Sequence, residues 1–141
     1  MIAMTLLVIP TMMADDVVTK DQTKLPVEAR NFIGKNFGDQ KISYIKIDKE
    51  FLQSTKYEAV LTNGVEIDFD SKGNWTEIDC KKHPVPAAII PAYAQEYVTS
   101  NFSDEFITQI ERNRLGIKVE LNKNDLEISF DTKGNVRRLD D

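Results

Sequence analysis

Little in this chain is suited to chemistry. Its 141 residues include one cysteine, Cys80, and one histidine, His83, so no internal disulfide can form. Most nucleophile–base triads, histidine-rich metal sites and zinc ribbons fall away with those two counts. No G-x-S-x-G, no glycine loop for phosphate and no H-E-x-x-H occurs. No run of five like charges occurs, and the basic residues are scattered, so nucleic acid is not an expected partner. What remains is an ordinary soluble composition, with 41% apolar and 29% charged residues and a net charge of −5.

The first fourteen residues, MIAMTLLVIPTMMA, carry no charge and are followed at once by Asp15 and Asp16. An apolar run ending in a small residue reads as a secretion leader cleaved after Ala14. It is shorter than the roughly 20 residues a helical membrane span needs. No lysine or arginine precedes it, which departs from the usual leader. No cysteine stands directly after it, so no lipid anchor is expected after cleavage. The mature chain is expected to be periplasmic or secreted, with a polar leader over residues 15–24.

The rest is a tandem repeat. Residues 25–45 match 90–110 at an offset of 65, pairing Pro26 with Pro91, Ala29 with Ala94, Asn36-Phe37 with Asn101-Phe102, and Ile45 with Ile110. Residues 65–79 match 126–140 at an offset of 61, with eight of fifteen positions identical. A collinear match of that kind marks a duplicated unit, here 25–79 and 90–141, joined by the linker 80–89. The shorter second offset places extra residues in a middle loop of unit one, around 48–56.

Each unit opens with a helix. Leu25, Ala29, Phe32, Ile33 and Phe37 lie on one face of a 3.6-residue period, and Ile90, Ala94, Tyr97, Val98 and Phe102 repeat it. Four short strands follow, at about 41–47, 56–62, 65–70 and 74–79, then 106–112, 116–122, 126–131 and 135–140. Alternation sets Tyr57, Ala59, Leu61, Val65, Ile67, Phe69 and Ile78 towards the helix in unit one. In unit two it does the same for Ile117, Val119, Leu121, Leu126, Ile128, Phe130 and Leu139. Asn63-Gly64 reads as a two-residue hairpin turn. Asp70–Gly73 and Asp131–Gly134 read as type I turns closing on glycine. The fold class is α+β: two units, each a helix plus a four-stranded antiparallel meander, joined into one eight-stranded sheet with both helices on one face.

Leu25-Pro26, Phe69-Asp70 and Gly73-Asn74-Trp75, with their counterparts in unit two, resemble the PepSY-like, beta-lactamase-inhibitor-like periplasmic proteins of Bacteroides and relatives. The resemblance spans about 25–141 and rests on turn and core positions. The inhibitor that gives the fold its name holds a secreted enzyme on the open face of its sheet, so the resemblance implies a binding role.

Candidate chemistry is sparse. Cys80 and His83 stand as C-x-x-H in the linker, two ligands where structural zinc takes four. The Asp70 and Asp131 turns are acidic, yet lack the alternating oxygen ligands of a calcium loop. No catalytic residue, metal or cofactor is expected, and the chain reads as a non-enzyme. The open face offers more. Parity points Trp75, Tyr44, Glu58, Glu66, Asp68 and Glu77 outwards, beside Lys46, Val60, Thr62 and Asp79. The corresponding set in unit two is Lys118, Glu120, Asn122, Glu127, Ser129, Val136 and Arg138. The first six are expected to form a contact surface for a basic partner protein or exported enzyme, with Trp75 as its anchor. A small ligand or the cell wall is the alternative occupant. Oligomeric state is left open.

Overall fold

The computed structural model describes residues 15–49 and 54–141. The expected leader and the tip of the middle loop, 50–53, lie outside the described residues. Two helices, α1 (Val27–Asn36) and α2 (Ala92–Asn101), accompany nine strands. These are β1 (Asp15–Thr19), β2 (Ile42–Lys49), β3 (Lys56–Leu61), β4 (Glu66–Phe69), β5 (Trp75–Asp79), β6 (Ile107–Asn113), β7 (Gly116–Leu121), β8 (Glu127–Asp131) and β9 (Val136–Asp140). They form one open antiparallel sheet in chain order. Among the described residues no helix is long and apolar enough to cross a membrane.

The duplication sets this order. Each meander pairs strands through short turns, and the two meanders meet where β5 pairs with β6, Ile78 opposite Ile110. Ala29 and Ile33 are the buried residues of α1, with Leu25 before it and Phe37 at its C-cap continuing the stripe, while Ala94 and Val98 are the buried residues of α2. Aromatic contacts repeat as well. Phe32 of α1 meets Phe69 edge-on at 6.0 Å, and Tyr97 of α2 meets Phe130 at 5.6 Å. One apolar cluster runs under both helices, each large buried side chain contributing about 1.5–3 kcal/mol.

Residues 15–24 are not a free leader. Asp15–Thr19 add a ninth strand, with Val17 opposite Ile47, and Gln22–Lys24 form a 3-10 turn capped by Asp21. The alternation of β2 leaves an edge to fill, and Val17-Val18-Thr19 has the β-branched side chains that suit a strand. The Asn63-Gly64 hairpin is also one residue longer than expected. Gly64 N–H donates to Leu61 O, and Gly64 takes φ +91°, so Thr62 and Asn63 make the turn and glycine supplies the bulge after it.

The larger correction concerns Trp75. Strict alternation back from Ile78 puts it on the open face. Instead Phe69 pairs with Trp75 while Asp68 pairs with Glu77, so Thr76 is an extra residue in β5. This bulge shifts parity by one and turns the indole under α1, where it is 8% exposed. Its ring lies 6.4 Å from that of Phe32. Unit two repeats the bulge at Arg137, so Val136 sits opposite Phe130 on the helix face and not among the open-face residues. Leu139 does occupy the position of Ile78, but at the sheet edge it is 50% exposed and outside the buried core.

Candidate functional site

The two acidic turns use their carboxylates internally. Asp70 Oδ1 accepts from the backbone N–H of Lys72 and of Asn74, both at 2.9 Å. Asp131 Oδ1 does the same for Lys133 and Asn135, again at 2.9 Å. Each aspartate is thereby committed to folding its turn. Cys80 is buried, and that burial pushes its thiol up to about 11, so it stays protonated at neutral pH. His83 is exposed and donates its backbone N–H to Cys80 O. The C-x-x-H segment is thus a turn.

The face away from the helices is different. Antiparallel register lines up Lys46, Glu58, Asp68, Glu77, Glu111 and Lys118 as successive neighbours across β2 to β7. Four adjacent strands therefore present four carboxylates in one row, with a lysine at each end. The next row carries Tyr44, Val60, Glu66, Asp79, Gln109, Glu120 and Glu127. Cross-strand neighbours on one face stand close enough for like charges to repel.

Relief of that repulsion is uneven. Lys118 lies 3.3 Å from Glu111, and Lys81 bridges Glu66 and Asp79 at 3.2 and 3.3 Å. Gln109 donates its side-chain amide to Glu77. Among the described residues, Glu58, Asp68 and Glu77 have no basic group within 4.0 Å. Burial in mid-row, and then the charges of Glu58, Glu77 and Glu66, push the Asp68 carboxyl up to about 7. The row floors a trough of about 460 Å³, with Arg112 and Phe69 among its walls.

Five of the six expected contact residues, Tyr44, Glu58, Glu66, Asp68 and Glu77, share this face. Trp75 does not. Glu111 was missed by the outward parity count, which left β6 unread. Its signal is the repeat itself, because Ile110 matches Ile45 and the next residue then faces out as Lys46 does.

Residues 55–138 match a family model described as "Putative beta-lactamase-inhibitor-like, PepSY-like". A "putative periplasmic protein of unknown function" from Bacteroides vulgatus shares 46% identity at a TM-score of 0.86, over 90% of this chain and 100% of its own. A "putative calcium-regulated periplasmic protein" from Bacteroides thetaiotaomicron shares 40% at 0.82, over 90% and 96%. A second B. vulgatus protein, described as a "putative periplasmic protein" of the DUF2874 family, shares 35% at 0.82, over 90% and 98%. No curated protein matches the chain. Sequence and fold agree with these relatives over 90% of the chain, and the chain belongs to the PepSY-like, beta-lactamase-inhibitor-like family of periplasmic proteins.

Proposed function

We propose that this chain is an exported, non-enzymatic binding module that captures a basic segment of a partner protein across the open face of its sheet. The observation that carries this reading is the row Glu58, Asp68, Glu77 and Glu111 on four adjacent strands. A neutral surface would cost the fold less, since facing carboxylates repel. A lysine or arginine side chain laid along the trough would relieve that repulsion and displace the proton held at Asp68. Surface acids of this kind speed encounter with a basic partner and make it salt-dependent. Tyr44 and Glu66 extend the contact. Export would follow from cleavage after Ala14, which would leave Asp15, the first residue of β1, at the mature N-terminus.

The test uses a defined probe. A lysine-rich peptide titrated into the protein should bind, lose affinity as salt rises, and fail to bind the Glu58→Gln/Glu77→Gln double variant. Equal binding of a glutamate-rich peptide, or an unaffected double variant, would count against the proposal. Mass spectrometry of protein from its host checks the leader, with Asp15 as the expected first residue.

A second reading is calcium binding, favoured by the relative described as calcium-regulated. The acidic rows supply oxygen ligands of the right hardness. Against it, no three carboxylate, cysteine or histidine side chains among the described residues converge closely enough to hold a metal ion. Calorimetric titration with calcium decides: a saturable heat abolished by Asp68→Asn would promote this reading over the first.

A further inference from the structure

The duplicated unit carries its own template for what covers its last strand. In unit one that strand is β5, and β6 pairs along it with Ile110 against Ile78, which is 0% exposed. In unit two the last strand is β9, with Leu139 in the place of Ile78, since both pair with the matching isoleucine of the strand before, Ile67 or Ile128. Among the described residues β9 is paired on one side only. Leu139 is 50% exposed and Val136, in the place of Trp75, 37%. An uncovered strand edge of this kind is a template for pairing.

The sequence of the edge says what fits it. Residues 137–141 read Arg-Arg-Leu-Asp-Asp, two cations and two anions about a central leucine. An antiparallel copy of the same strand, related by a two-fold axis that passes beside Leu139, between the strands and perpendicular to the sheet, sets Leu139 against Leu139. The same operation sets Arg138 of each copy opposite Asp140 of the other, on the open face, and brings Arg137 level with Asp141. The strand is self-complementary in charge. At the internal junction the positions equivalent to that Arg–Asp pair hold Glu77 opposite Glu111, so β9 is the better matched edge. Within one chain Arg138 Nε reaches Asp140 Oδ1 at 2.9 Å, both side chains lying at the surface and free to re-pair.

We infer that β9 is a self-association edge: two copies of this chain pair β9 to β9 in a closed two-fold dimer, extending the sheet with helices on one face. The axis is isologous, so pairing stops at two copies. The contact is a single short strand, smaller than a standard stable interface, and the dimer is accordingly weak and concentration-dependent.

Light scattering over a concentration series should read a mass that climbs towards twice that of one chain. Asp140→Arg and Arg138→Asp should each hold the protein at one chain, because like charges then face each other across the axis. Mixing these two variants in equal amounts should restore the doubled mass, since each supplies the charge the other lacks. A disulfide trap catches weak pairing. Opposed strand residues stand about 4.5–5.5 Å apart at Cα, within disulfide reach. Leu139→Cys should therefore cross-link between chains faster than Leu115→Cys, a comparably exposed site on the β6–β7 turn. Equal cross-linking at the two sites overturns the inference. So does a mixture of charge variants that stays at one chain, or a mass that grows past two copies, which is the signature of β9 pairing with β1 of the next chain.

Discussion

The Arg112 guanidinium carbon lies 3.9 Å from the centroid of the Trp75 ring, and Arg112 Nε donates to the Trp75 carbonyl at 2.7 Å. Trp75 begins the last strand of unit one and Arg112 lies in the first strand of unit two. One side chain thus fastens the junction both through the backbone and through the ring face. Arg112 is exposed, so the ring contact is worth about 0.5–1 kcal/mol. With the hydrogen bond, Arg112→Ala should cost roughly 1–2 kcal/mol in urea melts. Arg112→Lys should recover little, because an ammonium lacks the planar fork that stacks and donates together. Full recovery by lysine would mean that charge alone matters at this junction.

Trp75 is the only tryptophan, so its emission reports one environment. The folded protein should emit towards the blue and resist acrylamide quenching. Trp75→Ala should destabilise by about 3–5 kcal/mol, the usual cost of emptying a large aromatic site. An emission maximum like that of the unfolded chain would return the indole to the open face.

The paired turns differ in what stands behind them. Gly73 has φ +88° and Gly134 φ +86°, where a side chain costs roughly 1 kcal/mol from backbone strain. A Cβ on Gly73 would lie 3.0 Å from the backbone nitrogen of Ala29 and 2.9 Å from Pro26 Cβ, at the fixed start of α1. On Gly134 the three nearest atoms all belong to the Tyr93 side chain, with Cγ at 2.8 Å and no backbone atom among them. Both alanine variants should therefore lose stability in denaturant melts, Gly73→Ala more than Gly134→Ala. A neutral result at Gly73 would contradict the close approach of turn and helix.

Asp68 gives stability a pH dependence of known sign. Burial and the neighbouring carboxylates push its carboxyl up to about 7 in the folded chain, against an ordinary value of 3.8. Between about pH 4 and 7 the folded state holds a proton that the unfolded state has released, so stability falls as pH rises through that window. Asp68→Asn removes this contribution. Its melting temperature relative to wild type should rise from pH 4 to pH 7 and level off above. Parallel profiles for the two proteins would show that Asp68 ionises freely.

Much of this molecule follows from sequence because its signals are local or repeated. The helix stripes, the Asp70–Gly73 and Asp131–Gly134 turns and the meander order within each unit all rest on residues near each other in sequence, and the duplication states each of them twice, whereas β1 has no counterpart in unit two and was not legible. Glu58, Glu66, Asp68 and Glu77 are legible as open-face residues because β3, β4 and the end of β5 alternate without interruption. Trp75 was not legible, because a bulge at Thr76 leaves no mark in composition and only the pairing of β4 with β5 shows the extra residue. Likewise the four carboxylates form a row only once the register of β3 to β6 is set, and Glu111 comes from a strand 34 residues beyond Glu77. Alternation decides which face a side chain takes only where no bulge interrupts it, as one does at Thr76. The pairing of distant strands decides which side chains become neighbours, and that was settled by the tertiary structure alone.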